Sequence, residues 1–301
     1  MMDWDPPFHE TYKALYASTT ETSPKDLDRP TAVEECELPL INLSRLCLED
    51  EVEKESCKEE IARAAIKWLP LGNTNSYFAK AITMVRSFSH SHDRYLQLWI
   101  ETMNIAAEIA CRRSLAIVFS SVELFATKVA NLAQELAQIL AEKSGHNYTF
   151  FQENSLLSTC YLQLNRYPPC PVQLFGLMPY TDSNFLTVLH QNQIGGLQLM
   201  KDGKWIAVQP NPDALFINIG DLFQAWSNDR YKSVQHCVVT NPTKERYSAA
   251  YFLCPSYETV IESCRKPSVY RRFSFKEYRQ QVREDVQNYG DHKVGLTRFL
   301  V

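Results

Sequence analysis

Two adjoining stretches, LFGLMPYTDSNFLTVLHQNQIGGLQLM at 174–200 and KWIAVQPNPDALFINIGDLFQAWSNDRYKSVQHCVVTN at 204–241, decide how this chain folds. Their apolar residues come in short runs broken by turn formers: Gly195-Gly196, Asp202-Gly203 and Pro210-Asn211-Pro212. Runs that short, interrupted that often, predict strands rather than helices. The pattern places strands at 157–166, 174–180, 184–190, 196–200, 204–208, 213–219, 232–240, 246–254 and 257–262. Short strands with a turn signal every roughly 8–12 residues point to a sandwich or a barrel.

Upstream of 150 the period changes to that of helices. Over 122–143, Leu124, Val129, Leu132, Leu136, Ile139 and Leu140 form an apolar stripe, and Gly145 stands just past its end as a C-cap. A charged helix is expected over 50–68, where Ile61, Ala65 and Trp68 recur at helical spacing, preceded by an extended segment at 38–43. Two further helices are placed around 94–112 and 114–122, and a last one near 274–287. The chain therefore divides into a loose arm (1–36), rich in Pro, Thr, Ser and Glu, a mostly helical region (37–150) and a strand-rich region (151–301).

Composition narrows the function. With 301 residues, 45% hydrophobic and 22% charged, the chain is long enough to bury an enzyme-sized core. A net charge of −4 argues against nucleic acid or an anionic membrane as the main partner, and no apolar run is long enough to span a bilayer. Nine cysteines without a CxxC pair, behind an acidic start with no secretory pattern, point to the reducing cytosol or nucleus.

Candidate chemistry gathers on the strands. Side chains alternate along a strand, so Tyr180 and Asp182 are expected on one face, with His236 on a strand further along. Asp182 and His236 are suitable donors for a divalent transition metal; an aspartate at a turn serves equally well as a cap. Arg246 and Ser248 share a face, and a guanidinium fork beside a hydroxyl suits a buried carboxylate. Asn165 and Tyr167, ahead of the rigid Pro168-Pro169 turn, add polar contacts on one face. His190 reads as a core residue, His90 and His92 as surface histidines, Cys237 as a non-catalytic thiol, and Gly195-Gly196 as a hairpin turn rather than a phosphate cradle.

Taken in order, LNRYPPCP (164–171), GLMPYTDSNFLTVLHQNQIGGLQL (176–199), the 205–241 segment, ERYSAAYF (245–252) and VGLTRFL (294–300) resemble plant 2-oxoglutarate and Fe(II)-dependent dioxygenases. LPLINLS (38–44) and the helix ending at Trp68 extend the likeness. Within that superfamily the chain is most similar to gibberellin 2-oxidases of the branch acting on C20 gibberellins. The resemblance implies an α+β fold: a distorted double-stranded β-helix, or jelly roll, with flanking helices. It implies Fe(II) held by Asp182 and His236, 2-oxoglutarate held through Arg246 and Ser248, and support from Tyr167 and Asn165. The implied reaction uses O₂, releases succinate and hydroxylates a gibberellin-like diterpenoid acid; a monomer is expected, with no nucleic-acid or membrane partner.

The chain departs from that family in two places. Tyr180 stands where the family carries the first iron-ligand histidine, and a phenol of ordinary pKa near 10 is a poor ligand for Fe(II). Segment 69–122 diverges, beginning where Trp68 runs into Leu69-Pro70-Leu71-Gly72-Asn73-Thr74 instead of the family's Gly-Phe-Phe strand. Tyr180 leaves three outcomes: an oxygenase of reduced activity, a non-oxidative enzyme (alkene hydration with Tyr180 or Asp182 as proton donor), or a ligand-binding protein without turnover. From the barrel alone, a cupin-like binding protein is the runner-up.

Overall fold

The computed structural model describes residues 33–66, 82–86, 112–146, 149–155, 159–170, 174–289 and 294–301, and in this order they form β1 (Glu35–Cys36), β2 (Leu40–Asn42), α1 (Glu51–Ile66), β3 (Ile82–Arg86), α2 (Arg112–Glu142), α3 (Thr149–Asn154), β4 (Tyr161–Tyr167) and β5 (Phe175–Tyr180). Then follow β6 (Leu186–Gln191), β7 (Leu197–Lys201), β8 (Lys204–Val208), β9 (Ala214–Ile219), α4 (Asp221–Trp226), β10 (His236–Val239) and β11 (Arg246–Leu253). A small pair, β12 (Val260–Ile261) and β13 (Phe273–Ser274), precedes α5 (Phe275–Tyr289). Single turns of 3₁₀ helix occupy Leu43–Cys47 and Gly295–Phe299.

Two sheets carry the fold. One orders its strands β1-β8-β7-β10-β5, the other β2-β3-β9-β6-β11-β4. The β6, β9 and β10 strands are buried along their whole length, as a layer covered on both faces requires. On β11 and β4 the pairing runs without a break from Arg246 opposite Tyr167 to Phe252 opposite Tyr161. That register puts Asn165 opposite Ser248 and brings four polar candidates onto alternate rungs, hence one face. The α+β jelly-roll class expected from the sequence holds, although the sheets stay open rather than closing into a barrel.

The α2 helix covers the core as its stripe predicts: Val129, Leu132, Leu136, Ile139 and Leu140 are buried. Leu124 is exposed instead, and Phe125 takes the inward position. The helix also begins at Arg112, joining the separate 114–122 helix, because neither Gly nor Pro interrupts the sequence there. Past its end Gly145, at φ +76°, donates to the Glu142 carbonyl at 2.8 Å while His146 donates to Ala141 at 3.2 Å. Those bonds form a Schellman cap, which needs a left-handed residue at the glycine position.

Several boundaries differ from the sequence reading. The 232–240 strand shortens to His236–Val239, and 257–262 to Val260–Ile261. Short pieces (α3, α4, β3) carry too few residues for periodicity to register. Glu35 and Cys36, at the end of the expected loose arm, pair in parallel with Ala207 and Val208. In the divergent segment, Ile82–Arg86 lies between β2 and β9, paired with both. Residues 67–81 and 87–111, with Trp68, His90 and His92, lie outside the described residues, as does most of the arm.

Candidate active site

Between the two sheets lies a cavity of about 230 Å³. Alternation lines it: Tyr161, Gln163, Asn165 and Tyr167 from β4 face it, as do Arg246, Ser248, Ala250 and Phe252 from β11. His236 and Val238 enter from β10, Thr187 and Leu189 from β6. Tyr180, Asp182, Asn165, Tyr167, His236, Arg246 and Ser248 therefore meet in one place. The mechanism expected for two of them needs correcting. The β5 strand stops at Tyr180, so Asp182 lies in the following turn and not on the same pleat. A bulge supplies the inward aim of Tyr180: His236 pairs with Tyr180 but Val238 with Leu177, so three steps on β5 match two on β10.

The Asp182 turn is braced from several sides. Asp221 donates its backbone N–H to the Asp182 carbonyl at 2.8 Å, and Leu222 donates to the Asn184 carbonyl at 3.1 Å. A β-carbon on Gly220 would sit 2.1 Å from that same Asn184 carbonyl, so only glycine admits this approach. Phe185 anchors the turn from below, its ring 4.9 Å from Phe151 and edge-on to it. Such an aromatic burial is worth about 2–3 kcal/mol.

Asp182 and His236 are both almost fully buried. One carboxylate oxygen of Asp182, Oδ2, accepts from Thr187 Oγ1 at 2.8 Å and from Asn218 Nδ2 at 3.3 Å. The other, Oδ1, lies 3.7 Å from His236 Nε2, beyond hydrogen-bond distance. His236 Nδ1 sits 2.9 Å from the Val234 carbonyl. A carbonyl only accepts, so Nδ1 carries a proton and leaves Nε2 as the nitrogen that faces Asp182. Both groups have the chemistry of metal donors, and their neighbours orient them.

Tyr180 stands beside this pair, its ring 4.3 Å from the His236 ring. Burial first, and then the Asp182 charge, push its phenol well above the ordinary tyrosine value. A phenol held protonated is a weak donor to Fe(II). No cluster of three or more His, Cys, Asp or Glu side chains suited to a metal occurs among the described residues.

Across the cavity stands Arg246, fully buried. Its guanidinium donates to Gln191 Oε1 at 2.6 Å and to Ser248 Oγ at 3.4 Å, and lies 4.9 Å from the centre of the Tyr167 ring. Asn165 Nδ2 donates to the same Ser248 hydroxyl at 3.4 Å. Burial draws the Arg246 pKa below the usual arginine value. Among the described residues it has no carboxylate partner, and its Nε is buried without an acceptor. A desolvated cation with an orphaned N–H fits an anionic ligand. The residues present thus fit 2-oxoglutarate at the Arg246 end, and Asp182 and His236 fit iron with one protein donor fewer than a triad.

Thr187, Asn218 and Gln191 escaped the sequence reading, although each sits inside a quoted motif. Arg279, which also lines the cavity, lies in a charged helix where no motif marks it. The remaining candidates behave as ordinary core. His190 Nε2 bonds the Pro212 carbonyl at 3.0 Å, and burial lowers its pKa to about 4. Burial pushes the Cys237 thiol up to about 12.

Residues 154–255 match the model of the 2OG-Fe(II) oxygenase superfamily. Gibberellin 2-beta-dioxygenase 8 of Arabidopsis thaliana is 46% identical over 334 residues, covering 98% of each chain. Gibberellin 2-beta-dioxygenase 6 of Oryza sativa subsp. japonica is 37% identical, covering 98% of this chain and 96% of its own. Among solved structures, the rice dioxygenase for auxin oxidation superposes with a TM-score of 0.67 at 20% identity, over 88% of this chain and 100% of that one. JOX2 in complex with 2OG, Fe and JA does so at 0.64 and 22%, over 88% and 91%. These two likenesses speak for the fold, and the near full-length identity speaks for kinship: the chain belongs to the 2OG-Fe(II) oxygenase superfamily, alongside the gibberellin 2-beta-dioxygenases.

Proposed function

We propose that this protein oxidises a gibberellin-type diterpenoid acid, taking 2-oxoglutarate and O₂ as co-substrates. The observation that carries the reading is the buried Arg246 guanidinium, with no carboxylate partner among the described residues, facing the Asp182–His236 pair across one cavity. Arg246 and Ser248 hold the far carboxylate of 2-oxoglutarate; Asn165 and Tyr167 fix the Ser248 hydroxyl and the guanidinium in place. Asp182 and His236 would hold Fe(II), kept in donor geometry by Thr187, Asn218 and the Val234 carbonyl. Bound together, iron and 2-oxoglutarate supply O₂ activation coupled to decarboxylation to succinate. The apolar wall of Leu177, Leu189, Leu197 and Val238 limits water around the reacting groups.

Neither alternative is favoured. A phenol whose pKa is raised is a poorer proton donor, which weakens an alkene-hydrating role for Tyr180. The relatives over nearly the full chain are dioxygenases by name. The eight described cysteines are all free, which supports a reducing cytosolic or nuclear setting, and we read the working form as a monomer.

The test is an anaerobic Fe(II) titration in the presence of 2-oxoglutarate, followed by the visible charge-transfer band of the chelate. A saturable band, and succinate release dependent on a C20 gibberellin, support the proposal. No band in either the wild type or Tyr180→His overturns it.

A further inference from the structure

Arg279 projects from α5 into the cavity that holds Asp182 and Arg246. It is half-buried, and among the described residues no hydrogen bond or ion pair engages it. Its helix is pinned to the metal-side turn. The neighbouring Tyr278, fully buried, donates its hydroxyl to Asp221 Oδ2, which also accepts from Thr181 Oγ1 at 3.0 Å. Beside Arg279 the rings of Tyr161 and Phe252 stack at 4.5 Å with 16° between planes, an apolar platform at the cavity edge. Arg279, Tyr161 and Phe252 line the same cavity, so the cation and the platform face one ligand space. Arg246 already accounts for the 2-oxoglutarate carboxylate, so a second cation lining the cavity suits a second anion.

We propose that Arg279 reads the carboxylate of the prime substrate, an apolar acid whose body rests on the Tyr161–Phe252 stack. The inference deepens the gibberellin reading and rests on it. An acid and its ester differ only in the group that Arg279 addresses, whereas the stack treats both alike.

The test compares equilibrium binding of a C20 gibberellin as free acid and as its methyl ester to the full chain with 2-oxoglutarate, for the wild type, Arg279→Gln and Arg279→Lys. The wild type is expected to prefer the acid about tenfold. In Arg279→Gln the acid should fall to the level of the ester, while the ester and 2-oxoglutarate affinities stay unchanged; Arg279→Lys should keep part of the preference. An acid preference that survives in Arg279→Gln, or a parallel loss of 2-oxoglutarate binding, overturns the inference. Equal binding of acid and ester to the wild type overturns it while leaving the gibberellin reading intact. Binding of neither form overturns both.

Discussion

The two ends of the cavity are built to different degrees of completion. At the Arg246 end the binding groups are in place: a fully buried guanidinium with one N–H left without an acceptor, an accepting Gln191, and a hydroxyl on Ser248 held by Asn165. At the Asp182 end a carboxylate and an imidazole are aimed and braced, and Tyr180 beside them carries a phenol whose pKa burial pushes well up. The two ends draw on different sheets, since β10 carries His236 and β11 carries Arg246. Strand register and turn bracing place Asp182 and His236 whichever side chain stands at 180. Co-substrate recognition and metal affinity are separable properties here.

The strongest test of that separation removes the cation. Arg246→Met should weaken 2-oxoglutarate binding by at least about a hundredfold. The ligand-free protein should become more stable by about 1–4 kcal/mol, since a hydrophobic side chain replaces a desolvated charge. Isothermal titration and urea melts read the two effects, and a less stable Arg246→Met would mean that the protein itself compensates the charge. Next in size is Tyr180→His, which completes the triad and should tighten metal binding by roughly 10–100-fold, leaving metal-free 2-oxoglutarate affinity alone. An anaerobic competition assay with Co(II) decides it. Tyr180→Phe should match the wild type; a loss of metal affinity there would make the phenol a ligand and break the contrast between the two ends.

Most of the Arg246 end was legible in the sequence because it depends on the pleat. Asn165, Tyr167, Arg246 and Ser248 all follow strict alternation, and the β4–β11 register does the rest. The Asp182 end was legible only in its residue types. Alternation put Tyr180 and Asp182 on one strand, whereas a bulge aims the first and a turn presents the second. Bulges and turns are tertiary solutions, set here by α4 and the Phe151–Phe185 packing, and they leave no period to read. Arg279 was hidden for a related reason. Its role depends on where the whole α5 helix docks, which the helix's own charged pattern does not encode.

Thr187 offers a finer probe of the metal end. Its hydroxyl is the shorter of the two bonds that hold Asp182 Oδ2, so Thr187→Val leaves only the 3.3 Å contact from Asn218. Metal affinity should fall roughly tenfold, because a ligating carboxylate loses one of its orienting partners. The 2-oxoglutarate affinity measured without metal should not move. A matching loss at both ends would mean that β6 transmits strain across the cavity.

The smallest effect concerns the strand that backs the Arg246 end. His190 precedes Gln191 on β6, points away from the cavity and is held neutral by burial, with its pKa lowered to about 4 against an ordinary 6.5. In the unfolded chain it takes a proton near its ordinary value; in the native protein it resists until the pH is far lower. Stability from this residue is therefore complete above the unfolded pKa and is lost as the pH falls from about 6.5 toward 4. Between pH 7 and 5.5 the loss should be about 1 kcal/mol, and His190→Gln should flatten that part of the profile. Chemical denaturation of both proteins across this range checks the slope. If the variant keeps the full slope, the acid sensitivity arises elsewhere than in the strand beneath the arginine.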